Sequence, residues 1–167
     1  GGANWPPSSY DPRSETMYVC LTDRPTTYVI ELPLQEKVDN VPYFGGTMGQ
    51  GLHHDGGLFV ALDVTTNRIR WIQQWADTCY SGSLATAGDI VFVGRNDGRF
   101  TALDSATGRQ LWSFQTDGGV NAPSISFKHN GRQYVAAYAA GTALNPTRKS
   151  DGLWLFSLEG GMDELPP

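Results

Sequence analysis

Two stretches of this sequence repeat one another. Gly57-Leu58-Phe59-Val60-Ala61-Leu62-Asp63-Val64-Thr65-Thr66-Asn67-Arg68-Ile69-Arg70-Trp71 aligns with Gly98-Arg99-Phe100-Thr101-Ala102-Leu103-Asp104-Ser105-Ala106-Thr107-Gly108-Arg109-Gln110-Leu111-Trp112, and the offset from Asp63 to Asp104 and from Trp71 to Trp112 is 41 residues in both cases. A period of about 40 residues with strand-like contents is that of a four-stranded propeller blade. In each copy Ala-Leu-Asp closes one strand, and Thr-Thr-Asn or Ala-Thr-Gly supplies the positive-φ residue that a tight hairpin needs. The following strand is expected to end in the Trp. A second turn, Arg95-Asn96-Asp97-Gly98, joins residues 90–93 to residues 100–103.

Further strands are expected over 17–21, 28–32, 83–86, 124–127, 133–138 and 153–158, and no stretch carries helical periodicity over the ten or more residues a helix requires. The expected class is all-β, with propeller blades of four antiparallel strands. At about 40 residues per blade the chain supplies roughly four blades or fewer, about half of an eight-bladed ring, and alone it would expose an edge strand and an apolar blade face. Residues 1–167 read as one portion of such a propeller, with a Gly-rich polar loop inserted near 33–57.

Composition bears on partners. Of 167 residues 40% are hydrophobic and 17% charged, which suits a folded core, and 20 Gly, 10 Pro and 11% aromatic residues suit short strands with tight turns. A net charge of −5 argues against nucleic acid or an anionic membrane surface as partner. No apolar run reaches the roughly 20 residues of a membrane-spanning helix. The start at Gly1, without an initiator Met or a leader, reads as a piece of something longer.

Two cysteines, Cys20 and Cys79, are too few for a disulfide scaffold or a four-ligand zinc site; they form either one bridge or two buried thiols. His53-His54-Asp55 invites a metal reading, but neighbouring side chains on an extended chain point to opposite sides and no third ligand is evident. No metal ligand is therefore assigned.

The repeated Ala-Leu-Asp-x-x-Thr-x-x-x-x-Trp string resembles the tryptophan-docking motif of quinoprotein dehydrogenases, eight-bladed propellers dependent on pyrroloquinoline quinone (PQQ). Asn4-Trp5-Pro6-Pro7-Ser8-Ser9-Tyr10, Cys79-Tyr80-Ser81-Gly82-Ser83-Leu84-Ala85-Thr86-Ala87-Gly88 and Gly131-Arg132-Gln133-Tyr134-Val135-Ala136 are similar to C-terminal segments of that family. The resemblance implies that Trp71 and Trp112 knit neighbouring blades rather than touch cofactor. It implies that Asn4 lies near the quinone oxygens, where an amide can donate to a carbonyl that gains electron density on reduction. Tyr80 falls where methanol-oxidising relatives carry a Trp under the quinone, and Ser81 or its backbone would approach the cofactor edge. The plainer alternatives are a turn residue for Asn4 and a strand-end ring for Tyr80. Gly141-Thr142-Ala143-Leu144-Asn145 shows no aromatic contact.

The resemblance further implies a cofactor site completed by upstream segments, which supply the catalytic Asp, the Ca²⁺ or lanthanide ligands and the vicinal disulfide. No catalytic residue is assigned to this chain. It implies oxidation of an alcohol or similar hydroxyl compound outside the cytoplasm, in the periplasm, with electrons passed to an external cytochrome c or quinone acceptor. There is no Cys-x-x-Cys-His for an attached haem. A Cys20–Cys79 disulfide follows for a family exported to an oxidising space. The competing readings are an inactive interaction module and a binding propeller similar to the lipoprotein scaffold that helps assemble outer-membrane proteins; fold alone does not separate them.

Overall fold

The computed structural model describes residues 2–30, 32–34, 36–50, 56–144 and 147–166, and these form strands and loops with no helix. The first blade is an antiparallel sheet of β1 (Ser9–Asp11), β2 (Thr16–Asp23), β5 (Gly56–Asp63) and β6 (Arg68–Trp75), in that order. Between β2 and β5 the chain leaves the blade and forms a separate hairpin of β3 (Thr26–Ile30) and β4 (Gly46–Gln50). The second blade runs β7 (Ser83–Ala85), β8 (Ile90–Gly94), β9 (Arg99–Asp104) and β10 (Gln110–Gln115), each strand pairing with the next. A third sheet has β11 (Ile125–His129), β12 (Arg132–Ala139) and β13 (Gly152–Phe156).

The two copies of the repeat occupy equivalent places, as β5–β6 and β9–β10. Asn67 at φ 55° and Gly108 at φ 72° make the tight turns that the sequence requires. Each turn is held by the Asp before it. Asp63 Oδ1 accepts from the Thr65 hydroxyl at 2.7 Å and from the Thr65 and Thr66 amides, and Asp104 Oδ1 accepts the matching three bonds from Ala106 and Thr107. These bonds favour the ionised carboxylate. The Thr65 hydroxyl and then Arg70 hold Asp63 far below the usual carboxylate range, and Thr107 lowers Asp104.

The Trp residues do not end their strands: β6 and β10 each continue past the ring. Instead each follows a bulge. Ala61 pairs with Trp71 and Leu62 with Ile69, leaving Arg70 unopposed; Ala102 pairs with Trp112 and Leu103 with Gln110, leaving Leu111 unopposed. One extra residue kinks the outer strand and sharpens its twist, which re-aims the ring that follows.

Trp71 crosses onto the second blade, where its indole Nε1 donates to the Ser105 carbonyl at 3.0 Å. Tyr18 donates its hydroxyl to the same carbonyl, and Gln73 donates to the Gly108 carbonyl at 2.8 Å. A Cβ on Gly108 would stand 2.7 Å from the Trp71 ring, so glycine is needed there for close approach as well as for φ. Tyr18, Phe59, Ala61, Val91, Val93 and Leu103 form the core of this seam. The second seam is built from Phe100, Val120, Val135, Ala137 and Ala139. Trp112 sits at its margin, 39% exposed, with its ring edge-on to Phe156 of the third sheet at 5.3 Å.

Alternation along the third sheet has two different outcomes. Val135, Ala137 and Ala139 face the second blade and are buried, whereas Tyr138, Leu153, Leu155, Ile125 and Phe127 are exposed. One face is a core and the other is an unpaired apolar face of the same pattern.

Candidate functional site

Cys20 on β2 is bonded to Cys79, at a Cα separation of 5.2 Å, just before Tyr80. That link holds the inner segment entering the second blade against the first. Asn4 lies two residues beyond the bridge that pairs Gly2 with Thr22, so β2 also fixes the segment that carries it. The consequence is a pocket of 320 Å³ lined by Asn4 and Tyr80 together with Thr22, Arg24, Thr26 and Leu144. Its size is at the lower end of small-ligand sites.

Tyr80 is buried. Its hydroxyl accepts from Trp5 Nε1 at 2.6 Å, and the two rings meet edge to face with centroids 5.8 Å apart. Trp5 itself is 58% exposed, a large ring held against Tyr80 by that polar contact and the ring contact. Asn4 Oδ1 accepts from the Trp5 backbone N–H at 2.8 Å, which is the turn-residue role open to it. Its amide nitrogen has no partner among the described residues and is the group free to donate to a ligand. Ser81 is buried, its hydroxyl donates to the Gly82 carbonyl, and it is not among the pocket's lining residues.

The structure thus brings Asn4 and Tyr80 together and leaves Ser81 behind them. Trp5, Arg24, Thr26 and Leu144 escaped the sequence reading. Trp5 stood in a quoted motif without a role, and Leu144 lies in the stretch set aside for lacking an aromatic ring. Arg24 and Thr26 carry no motif; only their place where the chain leaves the first blade puts them at the pocket. His53-His54-Asp55 lies outside the described residues, and among those described no three of His, Cys, Asp or Glu converge on one point.

A larger cleft of 760 Å³ lies around Ala76, Asp77, Arg95, Asp97 and Arg148. Within it the Arg95 guanidinium is 3.3 Å from both Asp77 and Asp97 and lies over the Trp75 ring, while Asp77 Oδ2 and Arg95 Nε have no hydrogen-bond partner among the described residues. The smaller pocket brings an amide donor, a phenol and a guanidinium around one space.

The family model described as PQQ, glucose/ethanol/alcohol dehydrogenase, β-propeller domain, matches residues 73–135. Over these residues the chain is similar to the β-propeller domain of the quinoprotein alcohol dehydrogenases. It is 30% identical to a quinoprotein ethanol dehydrogenase of Pseudomonas aeruginosa over 95% of this chain and 27% of that protein. It is 33% identical to a lanthanide-dependent methanol dehydrogenase of Methylorubrum extorquens over 78% of this chain and 22% of the relative. The fold matches the crystal structure of a quinohemoprotein alcohol dehydrogenase from Comamonas testosteroni with a TM-score of 0.83 at 23% identity, covering 100% of this chain and 28% of that one. The chain therefore spans about a quarter of the length of the relatives it matches.

Proposed function

We propose that this chain is the C-terminal portion of a PQQ-dependent alcohol dehydrogenase, in which it supplies part of the cofactor wall and two of the docked blades. The observation that carries the reading is the convergence of Asn4 and Tyr80, 76 residues apart in sequence, on one pocket. When bound, the quinone would supply the hydride acceptor for oxidation of a hydroxyl compound. The residues present fit it. The Asn4 amide is a donor for a quinone oxygen, and the Tyr80 ring, held by Trp5, offers an apolar wall. The catalytic base and the Ca²⁺ or lanthanide ligands belong to the rest of the protein.

A small alcohol is the substrate class, in keeping with the ethanol and methanol dehydrogenases among the relatives. A cytochrome c or quinone is the electron acceptor, and a periplasmic site accords with the Cys20–Cys79 disulfide. The test is reconstitution of the full-length apoprotein with PQQ and Ca²⁺ or a lanthanide, followed by alcohol-dependent reduction of a dye. Turnover is expected with the full-length protein and none with the 167-residue chain alone. Full-length protein that neither binds PQQ nor turns over any alcohol would overturn the reading and favour a binding propeller.

A further inference from the structure

Behind Tyr80 lies a run of buried amides that no motif marks. Asn121, at the entry to the third sheet, donates from Nδ2 to the Tyr80 carbonyl at 3.0 Å and to Asn96 Oδ1 at 2.6 Å. Asn96, in the β8–β9 turn, donates in turn from Nδ2 to the Thr78 hydroxyl at 2.6 Å. Asn121, Asn96, Thr78 and Tyr80 are all buried, at 4, 6, 3 and 7% exposure. The orientation of the Asn121 amide is fixed by its surroundings. The Tyr80 carbonyl can only accept, so the nitrogen must face it, and both N–H groups of that nitrogen are consumed.

The rest of the Asn121 side chain is confined as tightly. Its Oδ1 has no hydrogen-bond partner among the described residues and stands where a Cβ on Gly119 would fall, at 2.7 Å. A buried carbonyl without a partner is costly to keep. Its retention goes with the use of the nitrogen on Tyr80, because turning the amide would set oxygen against oxygen.

We propose that Asn121, backed by Asn96 and allowed its place by Gly119, is a positioning residue of the quinone site: it fixes the Tyr80 backbone from behind while Trp5 holds the hydroxyl in front. This rests on the reading that Tyr80 faces the cofactor. Residue 121 then acts on the quinone only through residue 80, from the neighbouring blade. Asn121→Asp is nearly isosteric but places a carboxylate oxygen against the Tyr80 carbonyl, and so uncouples the two with little change of volume.

The experiment is a double-mutant cycle in the full-length protein, read as the dissociation constant for PQQ from fluorescence titration of the apoprotein. Asn121→Asp is expected to weaken binding about tenfold with Tyr80 present and to have no effect in the Tyr80→Ala background, as required when one residue acts through another. Gly119→Ala, which removes no hydrogen-bonding group, is expected to behave in the same way and serves if Asn121→Asp does not fold. Trp112→Phe, away from the pocket, is expected to lower the melting temperature and leave PQQ affinity unchanged. Equal losses in both backgrounds would overturn the proposal while leaving Tyr80 as a cofactor contact. A neutral Tyr80→Ala would overturn the placement of the pocket and this proposal with it, as would wild-type affinity in both Asn121→Asp and Gly119→Ala.

Discussion

Gly108 and Trp71 are a pair, since the glycine gives the ring its seat and its φ of 72° is one that a side chain adopts only under strain. Gly108→Ala is expected to cost at least about 2 kcal/mol, from the left-handed backbone and the displaced indole together, whereas Trp112→Phe, at a half-exposed ring, should cost less. Urea denaturation of both variants of the full-length protein checks the order. Among residues, sequence pattern exposed those whose partners are near in the chain. The Asp63–Thr65 and Asp104–Thr107 turns could be read at sight because their bonds span two or three residues. Asn4 and Tyr80 were legible only through motif resemblance. Arg24 and Leu144 were not legible at all, because their place at the pocket depends on the pairing of β2 with β5 and on the course of the chain after β12.

The hairpin elements carry part of the pH response, alongside Asp11 and Asp117, which are also held below the usual carboxylate range. Asp63 and Asp104 are depressed in the folded chain by hydrogen bonds to Thr65 and Thr107, so between the folded and unfolded pKa values the unfolded state binds more protons. Stability from these turns is complete above the unfolded value of about 4 and falls as the pH drops through the folded values. Denaturation midpoints measured from neutral to strongly acid pH are expected to decline in that window, and less steeply in Asp104→Asn. The disulfide has a separate expectation. Closing a loop with a sequence separation of 59 residues stabilises by about 4 kcal/mol on the chain-entropy account, so Cys20→Ser should lower the melting temperature, and reductant should do likewise to the parent. At this scale the missed features have a common cause. The bulges at Arg70 and Leu111 leave an alternating sequence looking regular, and β4, Gly46-Thr47-Met48-Gly49-Gln50, hides behind two glycines that weaken any strand signal.

For the whole molecule, the sequence period gave the blade, and the described residues form two complete four-stranded blades and a three-stranded sheet. The bare face carrying Ile125, Phe127, Tyr138, Leu153 and Leu155 leads us to expect the 167-residue chain alone to self-associate, seen as a concentration-dependent rise in sedimentation coefficient. Leu153→Lys with Leu155→Lys should return it towards a monomer; a monomer without these changes would count against an unpaired face. The first seam is closed differently. The Cys20–Cys79 bond ties β2 to the segment that carries Tyr80, and Trp71 on Ser105 and Gly108 ties β6 to the second blade. Two separate fasteners, one on β2 and one on β6, oppose sliding of the first blade over the second and leave at most a hinge about the line that joins them. In mechanical terms the pocket wall is braced: a ligand that rested on Tyr80 would press on the residue next to the covalent tie.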